Sequence, residues 1–194
     1  MKRSSLIGGA AVGILLGVGV STPAFAGPVQ IIPWEDSFTV VHEVGDEGWC
    51  PPDVVDFVVT ESIEGSGKDR VTTQKNGLIR FAGTYRSVTT YSANEKTLLT
   101  ETHGNFRDTA VVDNGDTLTI SFKDATVTKV WLDGGFLFHD SGLVEGDVLV
   151  DHNGTPTNPD DDENLGPVGE IGLHGRFDTG NRDFCEDIAT YLGD

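Results

Sequence analysis

From Phe38 to Phe177 the chain is a succession of short runs rich in Val, Thr, Phe and Ile, broken roughly every ten residues by turn formers, and this pattern dictates sheet rather than helix. The expected strands are Phe38 to Val44, Val54 to Ser62, Arg70 to Gln74, Leu78 to Thr90, Thr97 to Val112, Thr117 to Asp124, Thr126 to Leu132, Phe136 to Phe138 running on to Val150, and Gly169 to Phe177. Asn76-Gly77 and Asn114-Gly115 are the sharpest turn signals. A two-residue type I′ hairpin needs φ > 0 at both central positions, and Asn-Gly accepts this at least cost. Both imply antiparallel neighbours. Glu64-Gly65-Ser66-Gly67, Ser92-Ala93-Asn94-Glu95 and Asp133-Gly134-Gly135 supply further tight connections.

Alternation is clearest where Leu118, Ile120 and Phe122 fall on one face and Thr117, Thr119, Ser121 and Lys123 on the other. The runs Leu78 to Thr90 and Thr97 to Val112 exceed ordinary strand length and contain Gly83 and Gly104, small residues that permit a sheet to bend sharply. At the end, Asn181 can cap a helix in which Phe184, Ile188 and Tyr191 or Leu192 repeat at three- and four-residue spacing before Gly193 stops it. The expected fold is all-β: an antiparallel barrel of about eight strands with a short C-terminal helix.

Ahead of the strands, Lys2-Arg3, the apolar run Leu6 to Val20 and Ala24-Phe25-Ala26 read as a secretory signal peptide over residues 1–26. The run is too short and too glycine-rich to favour a spanning helix. Residues 27–194 then form a single extracellular domain, large enough for its own core. Without the signal, 11 basic side chains face 31 acidic ones, a net charge of −20. Such a balance excludes nucleic acid and anionic membrane surfaces as partners, since both require clustered Lys and Arg. In an exported chain the two cysteines, Cys50 and Cys185, are expected to pair. Closing so long a loop is worth about 4 to 5 kcal/mol in the chain-entropy account.

Two constellations bear on chemistry. Asp151 to Glu163 reads Asp-His-Asn-Gly-Thr-Pro-Thr-Asn-Pro-Asp-Asp-Asp-Glu and carries no basic residue. Hard cations take six to eight oxygens, so Asp151, Asn153, Asp160, Asp161, Asp162 and Glu163 form a candidate calcium set; Pro156, however, stands where a calcium loop needs glycine. A solvated acidic loop is the competing reading, and no other cofactor is expected. Asn153-Gly154-Thr155 also fits a glycosylation acceptor. His103, His139 and His174 fall on three different strands, and adjacent strands could gather them as a zinc-type site; scattered, locally bonded imidazoles are the alternative. His42-Glu43 opens like a zinc-protease helix, but Asp46 stands where the second histidine belongs. No nucleophile elbow, phosphate loop or dinucleotide fingerprint is present.

The order Trp49-Cys50-Pro51, Phe138-His139-Asp140-Ser141-Gly142, Gly172-Leu173-His174-Gly175 and Phe184-Cys185 resembles a family of small secreted actinobacterial proteins with no assigned activity. The resemblance implies secretion, a paired-cysteine frame and a β-barrel-like domain, and it carries over no catalytic residue. The leading functional expectation is therefore a non-enzymatic secreted protein that binds a small apolar ligand in a barrel cavity. Trp34, Trp49, Trp131, Phe136 and Phe138 are the aromatics that could line it. The alternatives are a barrel enzyme of the cyclase or isomerase kind, acting through carboxylates and His174 or His139, and a calcium-dependent extracellular protein using the loop from Asp151 to Glu163.

Overall fold

The computed structural model describes residues 29–180 and 182–193. The signal-peptide reading and the proposed Asn181 cap lie outside the described residues. The chain folds as β1 (Val29–His42), β2 (Val59–Thr73), β3 (Ile79–Ala93), β4 (Lys96–Asp113), β5 (Thr117–Leu132), β6 (Gly135–Asp151), β7 (Glu163–Phe177) and α1 (Phe184–Leu192), with a short 3₁₀ turn Pro159–Asp161. Each strand pairs antiparallel with the next, so the sheet is an all-β meander in the order β1 to β7.

Sequence reading divides this sheet into too many pieces. Glu64 to Gly67, expected as a turn, runs through the middle of β2, and Asp124 to Thr126 runs through β5. The reason is packing. Trp34 of β1 lies flat over Gly65 and Gly67, and a Cβ on Gly67 would come within 2.6 Å of its ring. Those glycines leave room for an indole; they do not turn the chain.

The register extends this device across the whole sheet. Trp34, Gly67, Tyr85, Gly104, Thr126, Gly142 and Gly175 stand directly opposite one another in a single row over all seven strands. Large rings lie over the small positions: Tyr85 over Gly104, Phe106 over Gly83 and Phe177 over Gly142, each 2.6 to 2.7 Å from where a Cβ would stand. Glycine removes the steric wall along one transverse row, and the sheet can curl along that row, drawing its first strands toward its last.

It does curl. The β2–β3 turn and the β6–β7 loop would be roughly 19 Å apart in a flat sheet, yet Thr157 Cγ2 sits 3.0 Å from the Cβ position of Gly77. At the opposite end, α1 and the segment between β1 and β2 form one apolar cluster that gathers Cys50, Val55, Val59, Leu98, Val130, Ile188 and Leu192. A second cluster of Leu78, Val111, Leu118 and Val150 lies toward the β6–β7 loop. The concave face is therefore dry at both ends.

The expected eight-stranded barrel is an open, curled sheet of seven strands among the described residues, because no ladder joins β1 to β7. Both edges are interrupted. Pro33 removes a donor from β1, and the Ser37 amide donates to the Asp36 carboxylate beside it. Pro167, together with positive φ at Gly166, Gly169 and Gly175, breaks the regularity of β7.

The turns also differ from expectation. The two type I′ signals have positive φ only at Gly77 and Gly115, whereas both central residues are positive at Asn94-Glu95, Asp133-Gly134 and Asn153-Gly154. The first is a three-residue loop, closed by Gln74 and Leu78, with its glycine in the bulge position; the second places glycine first in its two-residue turn. The antiparallel neighbours were nonetheless as expected.

Helix α1 begins at Asp183, whose carboxylate accepts from the Cys185 and Glu186 amides, and ends before Gly193. Cys50 and Cys185 are bonded, with their Cα atoms 5.5 Å apart, which fastens α1 to the segment ahead of β2.

The glycine packing makes a direct prediction. A Cβ on Gly146 would meet Ile171 Cδ1 at 2.6 Å, while its next neighbours are 3.7 Å away. Gly146→Ala should cost about 1 to 3 kcal/mol by overpacking, measured by urea unfolding. Adding Ile171→Val removes that one atom and should recover most of the loss; no recovery would mean that the glycine serves something other than this contact.

Candidate functional site

Between its two dry ends the concave face is polar and reachable by solvent. Along β5, Leu118 and Val130 are buried, and between them every residue is half-exposed except the exposed Lys129. Alternation places Asp124, Thr126 and Thr128 of β5 on this face. The registers add Tyr85, Ser87 and Thr89 from β3, Thr100 and Thr102 from β4, and Asp69 from β2. The Thr102 and Thr128 hydroxyls lie 3.0 Å apart. Tyr85 donates to both carboxylate oxygens of Asp124, at 2.9 and 3.1 Å, and Trp34 Nε1 donates to Asp69 at 3.3 Å.

The curl sets the electrostatics. Burial raises the pKa of Asp124 and of Asp69, each partly offset by its donor, Tyr85 and Trp34 respectively. Burial, reinforced by the Asp124 charge, pushes the Tyr85 phenol up to about 12, so Tyr85 remains a donor at neutral pH. Asp108 is held highest, at about 6, chiefly by burial; the Phe81 amide and Arg80 act against this. Its side chain sits at the β4 bulge and accepts from the Phe81 N–H at 2.6 Å, taking the place of a ladder carbonyl.

The strand cations keep to one face, while carboxylates fall on both, Glu35, Glu64, Glu101, Glu145 and Asp147 standing among the convex cations. Asp36, Glu61, Asp69, Asp108, Asp124 and Asp140 fall in the concave register, whereas the strand cations Lys68, Arg70, Arg80, Arg86, Arg107, Lys123, Lys129 and Arg176 fall in the convex one. Lys96, at the β3–β4 turn, is the exception among the described strand residues, and it is bound to the Gly193 carbonyl at the end of α1. Some of these acids already have partners. His42 Nε2 lies 2.9 Å from Glu61, with its ring stacked on Trp49 at 3.6 Å. Asp140 accepts from the Thr179 amide and hydroxyl. Asp69 and Asp124 face the open middle.

The histidines singled out in the sequence are not brought together. His103, His139 and His174 stand on β4, β6 and β7 in the convex register, and His174 bonds Glu145 at 3.0 Å. His139 and His174 thus point away from the concave carboxylates that an acid–base enzyme would pair with them.

The acidic loop is ordered by its own side chains. Asp151 accepts from the Asn153 amide at 2.8 Å; Asn153 Nδ2 donates to the Asp161 carbonyl; the Asp161 carboxylate accepts from Thr155 and Asn158. Asp160 and Glu163 are exposed, and burial raises the Asp162 pKa, with Asp161 adding to the effect. Among the described residues no three His, Cys, Asp or Glu side chains gather as a metal cage. The loop instead spans two hairpins: Thr157 rests on Gly77, and His152 Nε2 lies 2.8 Å from the Gly115 carbonyl.

Tyr85, Asp69, Asp108 and Asp124 were not singled out from sequence. Each is an ordinary strand residue until the register sets it beside a glycine or a bulge. No known family, no curated protein and no solved structure matches the chain.

Asp108 gives the site a pH signature. Its pKa is higher folded than unfolded, so its contribution to stability is complete below about pH 4 and is lost as pH rises through about 6, a change on the order of 3 kcal/mol. Asp108→Asn keeps an acceptor for Phe81 and carries no charge. The stability of wild type relative to Asp108→Asn should therefore fall between pH 4 and pH 7 in paired denaturation curves; a constant difference would contradict the buried-acid reading.

Proposed function

We propose that this is an exported, non-enzymatic protein that holds a small organic cation with an apolar or aromatic body in the hollow of its curled sheet. The observation that carries this reading is the placement of the cations: among the described residues every strand cation but Lys96 stands in the convex register, which leaves Asp69 and Asp124 with no cation beside them in the middle of the concave face. A carboxylate kept half out of water regains its lost hydration most effectively from a bound cation or a charged donor. Asp69 and Asp124 supply that attraction. Trp34, Tyr85 and Phe106 offer ring faces to an ammonium or to the apolar body that bears it. The Thr ladder supplies hydrogen bonds for orientation. An anionic ligand would meet Asp69 and Asp124 and no opposing cation in the open middle.

The open seam between β1 and β7 gives such a ligand a way in, and the exposed apolar side chains Phe38, Val40 and Leu173 beside it suit an apolar body. This replaces the purely apolar ligand of the sequence reading with an amphiphilic one, because the middle of the face is lined with acids and hydroxyls.

The test compares three ligands of one shape: phenethylamine, 2-phenylethanol and phenylacetate, titrated calorimetrically at low salt. The amine should bind most tightly and the carboxylate least. Asp124→Asn should weaken the amine about tenfold, the loss of one charge-assisted contact of about 1.4 kcal/mol, while leaving the alcohol nearly unchanged. Equal binding of amine and carboxylate would overturn the reading.

A further inference from the structure

His152 is 2 % exposed, the most buried ionisable side chain among the described residues. Its Nε2 faces the Gly115 carbonyl at 2.8 Å. A carbonyl only accepts, so Nε2 carries the hydrogen, and in the neutral ring Nδ1 is left with a free lone pair. Nδ1 is the ring nitrogen next to Cγ, so it lies on the side of the His152 backbone, toward its own loop. It is buried and has no hydrogen-bond partner, and Asp162 Oδ1 in the same loop is likewise buried and unpartnered. Asp151 and Glu163 pair at the mouth of the loop, so His152 and Asp162 are the two residues just inside it, yet no hydrogen bond joins these atoms.

Two buried acceptors at the mouth of one loop therefore lack a protein donor, each at the cost of an unmade bond. The imidazole is already oriented as metal-binding histidines are, with its far N–H held by a backbone carbonyl. We propose that His152 Nδ1 and Asp162 Oδ1 form a two-residue seat for a divalent transition metal at the β6–β7 loop, with water completing its coordination. The donor set decides the class of metal. An imidazole nitrogen beside a carboxylate suits zinc and its neighbours, whereas calcium takes oxygen alone. Because no third His, Cys, Asp or Glu joins the pair, the seat is a weak one. A metal here would tie together the loop and, through Gly115, the β4–β5 turn. The seat is at the far end of the molecule from α1 and does not depend on what the concave face binds.

Melting curves of the full protein in zinc chloride, calcium chloride and magnesium chloride at equal ionic strength test this. Zinc at a hundredfold excess over its Kd should raise Tm by about 5 to 10 °C beyond the other two salts. Asp162→Asn and His152→Gln should each abolish that excess, while Asp160→Asn, at an exposed carboxylate, should preserve it. Should His152→Gln fail to fold, Asp162→Asn alone decides the matter. A zinc shift no larger than that of calcium would overturn the seat and leave a bridging water between the two acceptors. So would a zinc-specific shift that survives either substitution, which would place the metal on the surface histidines.

Discussion

Everything distinctive in this molecule depends on steric permission along one line. A seven-stranded antiparallel sheet with side chains at every position resists tight curling, because side chains on the inner face collide as the sheet closes. Here the row from Trp34 to Gly175 carries glycine at four of its seven positions, and rings occupy the space that three of them, Gly67, Gly104 and Gly142, leave. The rings return the apolar contact that glycine forfeits.

The curl has an electrostatic consequence. On a flat sheet Asp69 and Asp124 would be ordinary hydrated carboxylates. Inside the curl both are partly withdrawn from water, and Asp108, drawn into the ladder at the bulge, is withdrawn further. The same geometry gives α1, a helix of nine residues, enough reach to close one end, with the disulfide holding it there. The acidic loop closes the other end by resting on two hairpins. A concave surface whose middle holds carboxylates and no strand cation, dry at its ends and wet in its middle, follows from a line of glycines and the register that aligns them.

How much of this could be read from residues alone varied with the range of the interaction. The all-β class, the antiparallel order, the C-terminal helix and the Cys50–Cys185 bond rest on local patterns or on counting, and they were legible. Glu64-Gly65-Ser66-Gly67 was misread because glycine in a turn and glycine beneath an indole are identical in sequence; only the partner, Trp34, distinguishes them, some thirty residues away. Asp162 and His152 were visible as part of an acidic loop. Their lack of hydrogen-bond partners was not, since that depends on where the β4–β5 turn places its carbonyl. The open edge had a local sign in Pro33 and Pro167, but its weight was clear only once those residues stood on the two outermost strands.

The central claim is that the curl takes the inner carboxylates out of water, and the titration of those carboxylates measures it most directly. Side-chain ¹³C carboxyl shifts followed against pH in the folded protein should place Asp108 near 6 and both Asp69 and Asp124 above the ordinary aspartate value. Three titrations at about 3.9, the value of an aspartate in water, would show a face as wet as any surface and would contradict the account.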